Sequence, residues 1–178
     1  MMKDYLHAER VSLTAFRPED ADILAAFEQD SEYLRLYDAE VARPRTAEAV
    51  RAAYESLTAP GNFVFTVRGL DGDVMGIVCL DGILPFQGVG GLSIALGRRY
   101  WGQGFGREAL RLVLRFSFNE LNLRRLTITV FDYNTRAIRL YEHLGFVREG
   151  AFRSFLVRDG KAHDMLLYGL LRSEWHDS

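Results

Sequence analysis

The sequence predicts an α/β fold of the α+β kind: a mixed, mostly antiparallel central sheet flanked by helices. Three observations predict it. The apolar runs change period in the order β-α-α-β-β-β-α-β-α-β-β, so hairpin-linked strands dominate. One strand, glycine turn, helix and strand succession implies a right-handed crossover between parallel strands. Finally, 178 residues of 48% hydrophobic content suit one domain, residues 1–178, with a full core.

Bulk properties exclude several classes. A net charge of −2 and a pI near 6.1 give no electrostatic case for nucleic acid. The single cysteine, Cys79, rules out a disulfide framework and fits a reducing cytoplasm. The charged start Met1-Met2-Lys3-Asp4-Tyr5 and the lack of an apolar run of about 18 residues predict neither signal peptide nor membrane span. The four histidines, His7, His143, His163 and His176, are scattered without ligand spacing, so no metal is expected.

Taken in order, Val11, Leu13 and Ala15 alternate with polar residues as a first strand. Pro18-Glu19-Asp20 opens a helix whose inward face is Ile23, Leu24 and Phe27. From Gln29 to Pro44 the pattern is irregular and charged, either a solvated connection or a pocket wall. Thr46 is the N-cap of a further helix, and Pro60-Gly61 closes the connection. Phe63–Arg68 and Val74–Leu80 read as strands joined by the Asp71-Gly72 turn.

The central stretch follows. Ser93, Ile94, Ala95 and Leu96 form a buried strand ended by Gly97; Gly102, Gly104 and Gly106 then precede a helix with apolar residues at Ala109, Leu110, Val113, Leu114 and Leu121. A glycine turn opening a helix presents unpaired N–H groups at the positive end of the helix dipole, which makes an anion site suited to phosphate. Asn122 is the helix stop, and Leu126–Phe131 is a β-branched strand. Asn134 caps a short helix through Ala137, Ile138, Leu140, Tyr141 and Leu144, stopped by Gly145. Two strand-like runs around Asp159-Gly160 form a closing hairpin.

Gly104-Phe105-Gly106-Arg107-Glu108-Ala109 matches the G-x-G-x-x-G/A dinucleotide fingerprint formally, yet Gly97–Gln103 separate it from its strand, and no Walker A lysine follows. What remains, Arg99-Tyr100-Trp101-Gly102-Gln103-Gly104, resembles the pyrophosphate-binding motif of the GNAT superfamily of acyl-CoA N-acyltransferases. A second motif, Asn134-x-x-Ala137-Ile138-x-Leu140-Tyr141-x-x-x-Gly145-Phe146, strengthens the likeness, as does the element order from Val11 to Trp175. The branch it most resembles holds ribosomal-protein N-terminal and spermidine acetyltransferases, where a turn like Asp159-Gly160-Lys161 is common.

The resemblance implies acetyl-CoA as cosubstrate and a primary amine as acceptor, on a polyamine-like small molecule or a protein N-terminus. It implies that the amides of Gly102, Gln103, Gly104, Phe105, Gly106 and Arg107, with Arg99, bind pyrophosphate. Ile94, Ala95 and Leu96 would pair with the pantetheine arm as another strand would, one amide near Ile94 or Ala95 receiving the thioester oxygen. Asn134, Ala137 and Tyr141 would face the cofactor, and a homodimer is compatible with the superfamily.

Tyr141 is the candidate for the leaving thiolate, seven residues from Asn134 on one helix face. Complete proton transfer from a tyrosine near 10 to a thiolate near 8.5 is uphill by about 2 kcal/mol, so a hydrogen bond to sulfur is the cheaper role. Deprotonating the acceptor costs about 4.6 kcal/mol at pH 7 for a lysine-like amine and about 1 to 1.4 for an α-amine. Many members of the superfamily place a glutamate on the glycine-loop strand as base, whereas Val89-Gly90-Gly91-Leu92-Ser93 contains no carboxylate. Ser93, which could hold a water, and Asp132 are the alternatives, and the base stays unassigned. The acids Glu28, Asp30, Glu32, Asp38 and Glu40 would suit a cationic acceptor, against Arg35, Arg43 and Arg45 in the same region. Two other functions stay open: a CoA-binding sensor or assembly subunit without turnover, and a dinucleotide oxidoreductase.

Overall fold

The computed structural model describes residues 4–177; Met1-Met2-Lys3, most of the charged start, lie outside the described residues. In chain order the elements are β1 (Val11–Ala15), α1 (Asp20–Phe27), α2 (Ser31–Tyr37), α3 (Ala47–Leu57), β2 (Phe63–Gly69), β3 (Val74–Leu84), β4 (Val89–Leu96), α4 (Phe105–Arg115), β5 (Arg125–Phe131), α5 (Thr135–His143), β6 (Val147–Arg158) and β7 (Lys161–Leu171). The strands form one sheet in the order β1-β2-β3-β4-β5-β7-β6. Only β4 and β5 run parallel, and every other neighbouring pair is antiparallel.

Two apolar layers cover the sheet. On one face α4 buries Ala109, Leu110, Leu112, Val113 and Leu114 against Val78, Leu80, Leu92 and Leu126. On the other, α1 to α3 bring Leu24, Leu34, Val50 and Tyr54 onto Val64, Ile77 and Cys79. β3 lies between both layers, which explains its uninterrupted run of buried residues from Val74 to Leu80.

The structure departs from the sequence reading in three places. Ile23, expected on the inward face of α1, is exposed, because the buried stripe of that helix runs through Ala21, Leu24 and Ala25. The irregular stretch after Gln29 contains α2, capped by Asp30 through the Glu32 amide at 2.9 Å. Its charged residues mask a short apolar face of Tyr33 and Leu34, both buried. The helix expected to run to Leu121 instead ends as α-helix at Arg115 and widens into a π-turn, Phe116–Glu120. That change of period puts Phe118 wholly inside the core and sets Phe116 edge-on to Phe63 and Phe65, 5.3 Å from each. Asn122, at φ +54°, then ends the segment as expected.

The expected caps and turns are present. Thr46 and Asn134 accept the amides of Ala49 and Ala137 at 3.2 Å. Asp159 and Gly160 both take positive φ in the β6–β7 turn, the geometry that a tight hairpin requires.

One buried charge holds α1 to the sheet. Asp20, 3% exposed, accepts from Arg68 Nη2 at 2.6 Å, Thr66 Oγ1 at 2.7 Å and the Arg17 amide at 3.0 Å. Asp20→Ala therefore strands Arg68 and is expected to cost about 3–5 kcal/mol in urea unfolding. Asp20→Ala combined with Arg68→Met should recover part of that loss.

Candidate active site

The site begins where two strands part. β4 and β5 pair only at Val89↔Arg125, Gly90↔Leu126 and Gly91↔Thr127. Beyond Gly91, β4 stays with β3 as far as Leu96, while β5 stays with β7 as far as Phe131. Between them opens a cavity of about 600 Å³, lined by 92–96 of β4 and 128–131 of β5 and roofed by Tyr33, Leu36 and Tyr37 of α2.

Strand geometry dictates what the gap offers. The Gly97 amide donates to Met75 O on β3. Because successive amides alternate in direction, those of Ile94 and Leu96 point into the gap, whereas that of Ala95 points to β3 and that of Leu92 serves the last β4–β5 pairing at Gly91↔Thr127. Of the two residues expected to receive the thioester oxygen, Ile94 is the one whose amide faces the gap. The Leu96 carbonyl is taken by Trp101 Nε1 at 2.6 Å. A wall of interior backbone amides without a strand partner fits an extended ligand bearing amides of its own.

At the gap's end stands the glycine turn. Gly102 and Gly104 take φ +71° and +88°, a left-handed backbone that L side chains rarely adopt. Gly106 lets α4 approach α5, since a Cβ there would lie 3.3 Å from Leu140 Cδ2. The Arg107 amide is consumed by Gly104 O at 3.0 Å, so this residue offers the cavity its guanidinium rather than its N–H.

Ten of the expected site residues line the cavity: Ile94, Ala95, Leu96, Gly102, Gly104, Gly106, Arg107, Asn134, Ala137 and Tyr141. Three do not, and each has another task. Arg99 lays its guanidinium 4.7 Å from the Tyr100 ring centre, and its carbonyl accepts Gln103 Nε2 at 2.6 Å. Phe105 packs edge-on against Tyr100 beneath the Arg10 guanidinium. Arg10 also bonds Glu108 and Gln103 O, bracing the turn from outside the motif.

Sequence reasoning missed Arg136 and Arg139, which join Arg107 at the cavity. Arg136 stacks 3.7 Å from the Trp101 ring centre, and its burial lowers its pKa. The signal was present as two arginines one turn apart at the start of α5.

Tyr141 is 5% exposed and lines the cavity. Its hydroxyl has no hydrogen-bond partner among the described residues, and burial raises its pKa above the ordinary tyrosine value. It therefore remains a donor throughout the neutral range. Asn134 lines the same wall while capping α5 and donating to Leu36 O at 3.4 Å.

The acids expected to draw a cation are largely engaged elsewhere. Glu28, 2% exposed, is clamped by Arg45 at 2.5 and 2.9 Å. Asp30 and Glu32 pair with Arg98. Asp38 accepts the Glu40 amide at 3.1 Å. Asp132 pairs with His163 at 2.8 Å and accepts the Asp164 amide; burial raises its pKa, but these hydrogen bonds outweigh that and hold it low, so it is a poor base. The cavity's ionisable lining among the described residues is Arg107, Arg136, Arg139, His143 and tyrosines. No group of three metal-ligating side chains gathers among the described residues.

The family model for the acetyltransferase (GNAT) domain matches residues 10–147. The chain belongs to the GNAT acetyltransferase family. A SPbeta prophage-derived N-acetyltransferase, YokL of Bacillus subtilis strain 168, is 32% identical over 175 residues, covering 98% of this chain and 97% of its own. The N-acetyltransferase p20 of Bacillus licheniformis is 30% identical over 96% of this chain and 97% of its own. This GNAT chain is thus an N-acetyltransferase of a fold that uses acetyl-CoA. Among solved structures, the spermidine N-acetyltransferase of Vibrio cholerae in complex with CoA and spermine superposes with a TM-score of 0.83 at 23% identity, over 92% of this chain and 96% of that one. At that identity the likeness concerns the fold. No helix of the described residues is long and apolar enough to cross a membrane.

Gly104→Ala forces an L residue into the left-handed region and sets its Cβ 2.9 Å from Arg10 Nη2. The expected result is about 1–2 kcal/mol of lost stability and a smaller thermal shift with acetyl-CoA than the parent protein gives.

Proposed function

We propose that this GNAT enzyme acetylates a primary amine by direct attack on acetyl-CoA within a ternary complex. The observation that carries the reading is the gap between β4 and β5: unpaired strand amides lead to a glycine turn at one end, with an unpartnered tyrosine hydroxyl on the wall. Ile94 and Leu96 amides suit the amides of the pantetheine arm. The turn amides with Arg107, Arg136 and Arg139 suit its phosphates.

In this reading the thioester carbonyl lies against the Ile94 amide, which strengthens its hydrogen bond as charge builds on oxygen. The acceptor nitrogen forms the new C–N bond, the C–S bond breaks, and the Tyr141 hydroxyl stabilises the departing sulfur. Because burial raises its pKa, Tyr141 acts by hydrogen bonding more readily than by giving up its proton.

Two acceptor classes follow from the family, a polyamine-like small molecule and a protein N-terminus. The lining favours an amine whose remainder carries no further positive charge, since once the arginines hold the cofactor's phosphates the rest of it is largely apolar and hydroxylic. A polycation there gives up hydration with no lining carboxylate among the described residues to compensate it. An α-amine also costs less to deprotonate.

Tyr141→Phe is expected to lower kcat by about 10²-fold while leaving the affinity for acetyl-CoA nearly unchanged, read by free-thiol release and thermal shift. Tight CoA binding with no thiol release for any amine would instead favour the sensor reading. In an acceptor panel, a neutral-bodied monoamine or a peptide N-terminus should exceed spermidine in kcat/KM at low ionic strength.

A further inference from the structure

Acetylating an ammonium acceptor removes two protons from its nitrogen. One must leave before nitrogen can attack, and the second leaves as the C–S bond breaks and sulfur takes up a proton. The first needs an acceptor near the cavity, yet Glu28, Asp30, Glu32 and Asp132 are each held in an ion pair. Asp81 differs from them. It is part-buried on β3 just before a bulge, its carboxylate keeps access to solvent, and it makes no ion pair and no side-chain hydrogen bond among the described residues.

Its carboxylate occupies a particular place. A Cβ at Gly91 would meet Asp81 Oδ1 at 2.6 Å, so the Asp81 side chain lies over β4 where a side chain of β4 itself would stand. The strand is bent to put it there. Gly82, directly after Asp81, takes φ +56°, and Gly82 with Ile83 opposes the single residue Gly90, a bulge that re-aims the strand at this point.

The neighbouring groups lead from Asp81 to the cavity. Cys79 shares its face two residues away and opposes Ser93 in register, and Ser93 lines the cavity. Along β4, Gly91 and Ser93 are two residues apart and so share one face of the strand, which puts the Asp81 carboxylate over Gly91 on the same face as the Ser93 side chain. We propose that Asp81 is the base of the acetyl transfer, taking the acceptor's first proton through a water seated beside Ser93. Gly91 is the vacancy that admits its carboxylate.

Asp81 faces Cys79 on its own strand and Ser93 and Gly91 on β4. Beyond Cys79 lie Tyr33 and Tyr37 of α2 and Tyr54 of α3, while β2 brings only Phe63 and Val64 against Leu80 and Cys79. None of these carries a positive charge that would neutralise it.

The proposal rests on the acetyltransferase reading, and the test separates the two. Parent protein, Asp81→Asn and Gly91→Ala are compared by thiol release from acetyl-CoA with a peptide α-amine between pH 6.5 and 9.5, with thermal shift by acetyl-CoA as the folding control. Asp81→Asn should lose about 10²-fold or more in kcat/KM at pH 7, a loss that shrinks as solvent deprotonates the acceptor near its own pKa of about 8. Gly91→Ala, which displaces the carboxylate, should show the same pH-dependent loss and add nothing to Asp81→Asn. Parent-like rates in Asp81→Asn, or a loss equal at every pH, overturn the assignment. Absence of thiol release from the parent protein with every amine overturns the acetyltransferase reading instead.

Discussion

The parting of β4 from β5 after Gly91 is the constraint on which the site depends. Interior strands ordinarily satisfy their amides on both sides, and an unpaired buried N–H costs about as much as a lost hydrogen bond. Here the amides of Ile94 and Leu96 face a cavity, while β3 holds the other edge of β4 in continuous register from Gly76↔Leu96 to Asp81↔Gly91. A strand so anchored cannot relax to close the gap. The donors stay fixed for a ligand, with their direction set before it arrives.

Fixing the opposite wall takes a second set of interactions, and these use up most of the local charge. α2 roofs the cavity, and its C-terminal end is tied across the gap: Tyr133 donates to Arg35 O at 2.6 Å, Arg35 pairs with Asp159 at 2.5 Å, and Arg158 Nη2 reaches the carbonyls of Asp38, Ala39 and Glu40. The charged residues after Gln29 thus serve as struts. Arg45 on Glu28 and Arg98 on Asp30 and Glu32 do the same for the start of α2. What faces inward after this accounting is apolar, hydroxylic or cationic, and this sets the chemistry that the cavity admits.

How much of this the sequence carried depends on the range of each interaction. Caps and turns are local, so Thr46, Asn134, Gly145 and Asp159-Gly160 could be read residue by residue. The glycine turn was equally legible because φ above zero leaves glycine as the ready choice at Gly102 and Gly104. α2 was hidden because its short apolar face is interleaved with charges whose partners lie far away in the chain. The π-turn at Phe116 was hidden because a change of helical period resembles a helix that merely continues. At the site, motif membership did not reveal side-chain direction: Arg99 and Gln103 within the first motif and Phe105 directly after it brace the turn, whereas Arg136 lines the cavity from outside it.

The same limit bears on the absence of a carboxylate in Val89–Ser93. A sequence motif records which residue occupies a strand, but chemistry requires only that a group occupy a volume. In an antiparallel pair, residues directly opposite have Cβ atoms about 4.5–5.5 Å apart, so a side chain on one strand can stand over a glycine on the next. Asp81 opposes Gly91 in register, and the bulge at Gly82 turns the strand beside it. Two glycines on different strands, neither remarkable alone, thereby move a carboxylate from β3 into space that belongs to β4. Gly91 is also the last residue at which β4 pairs with β5, so that space lies at the root of the gap, where the walls are closest and least able to shift.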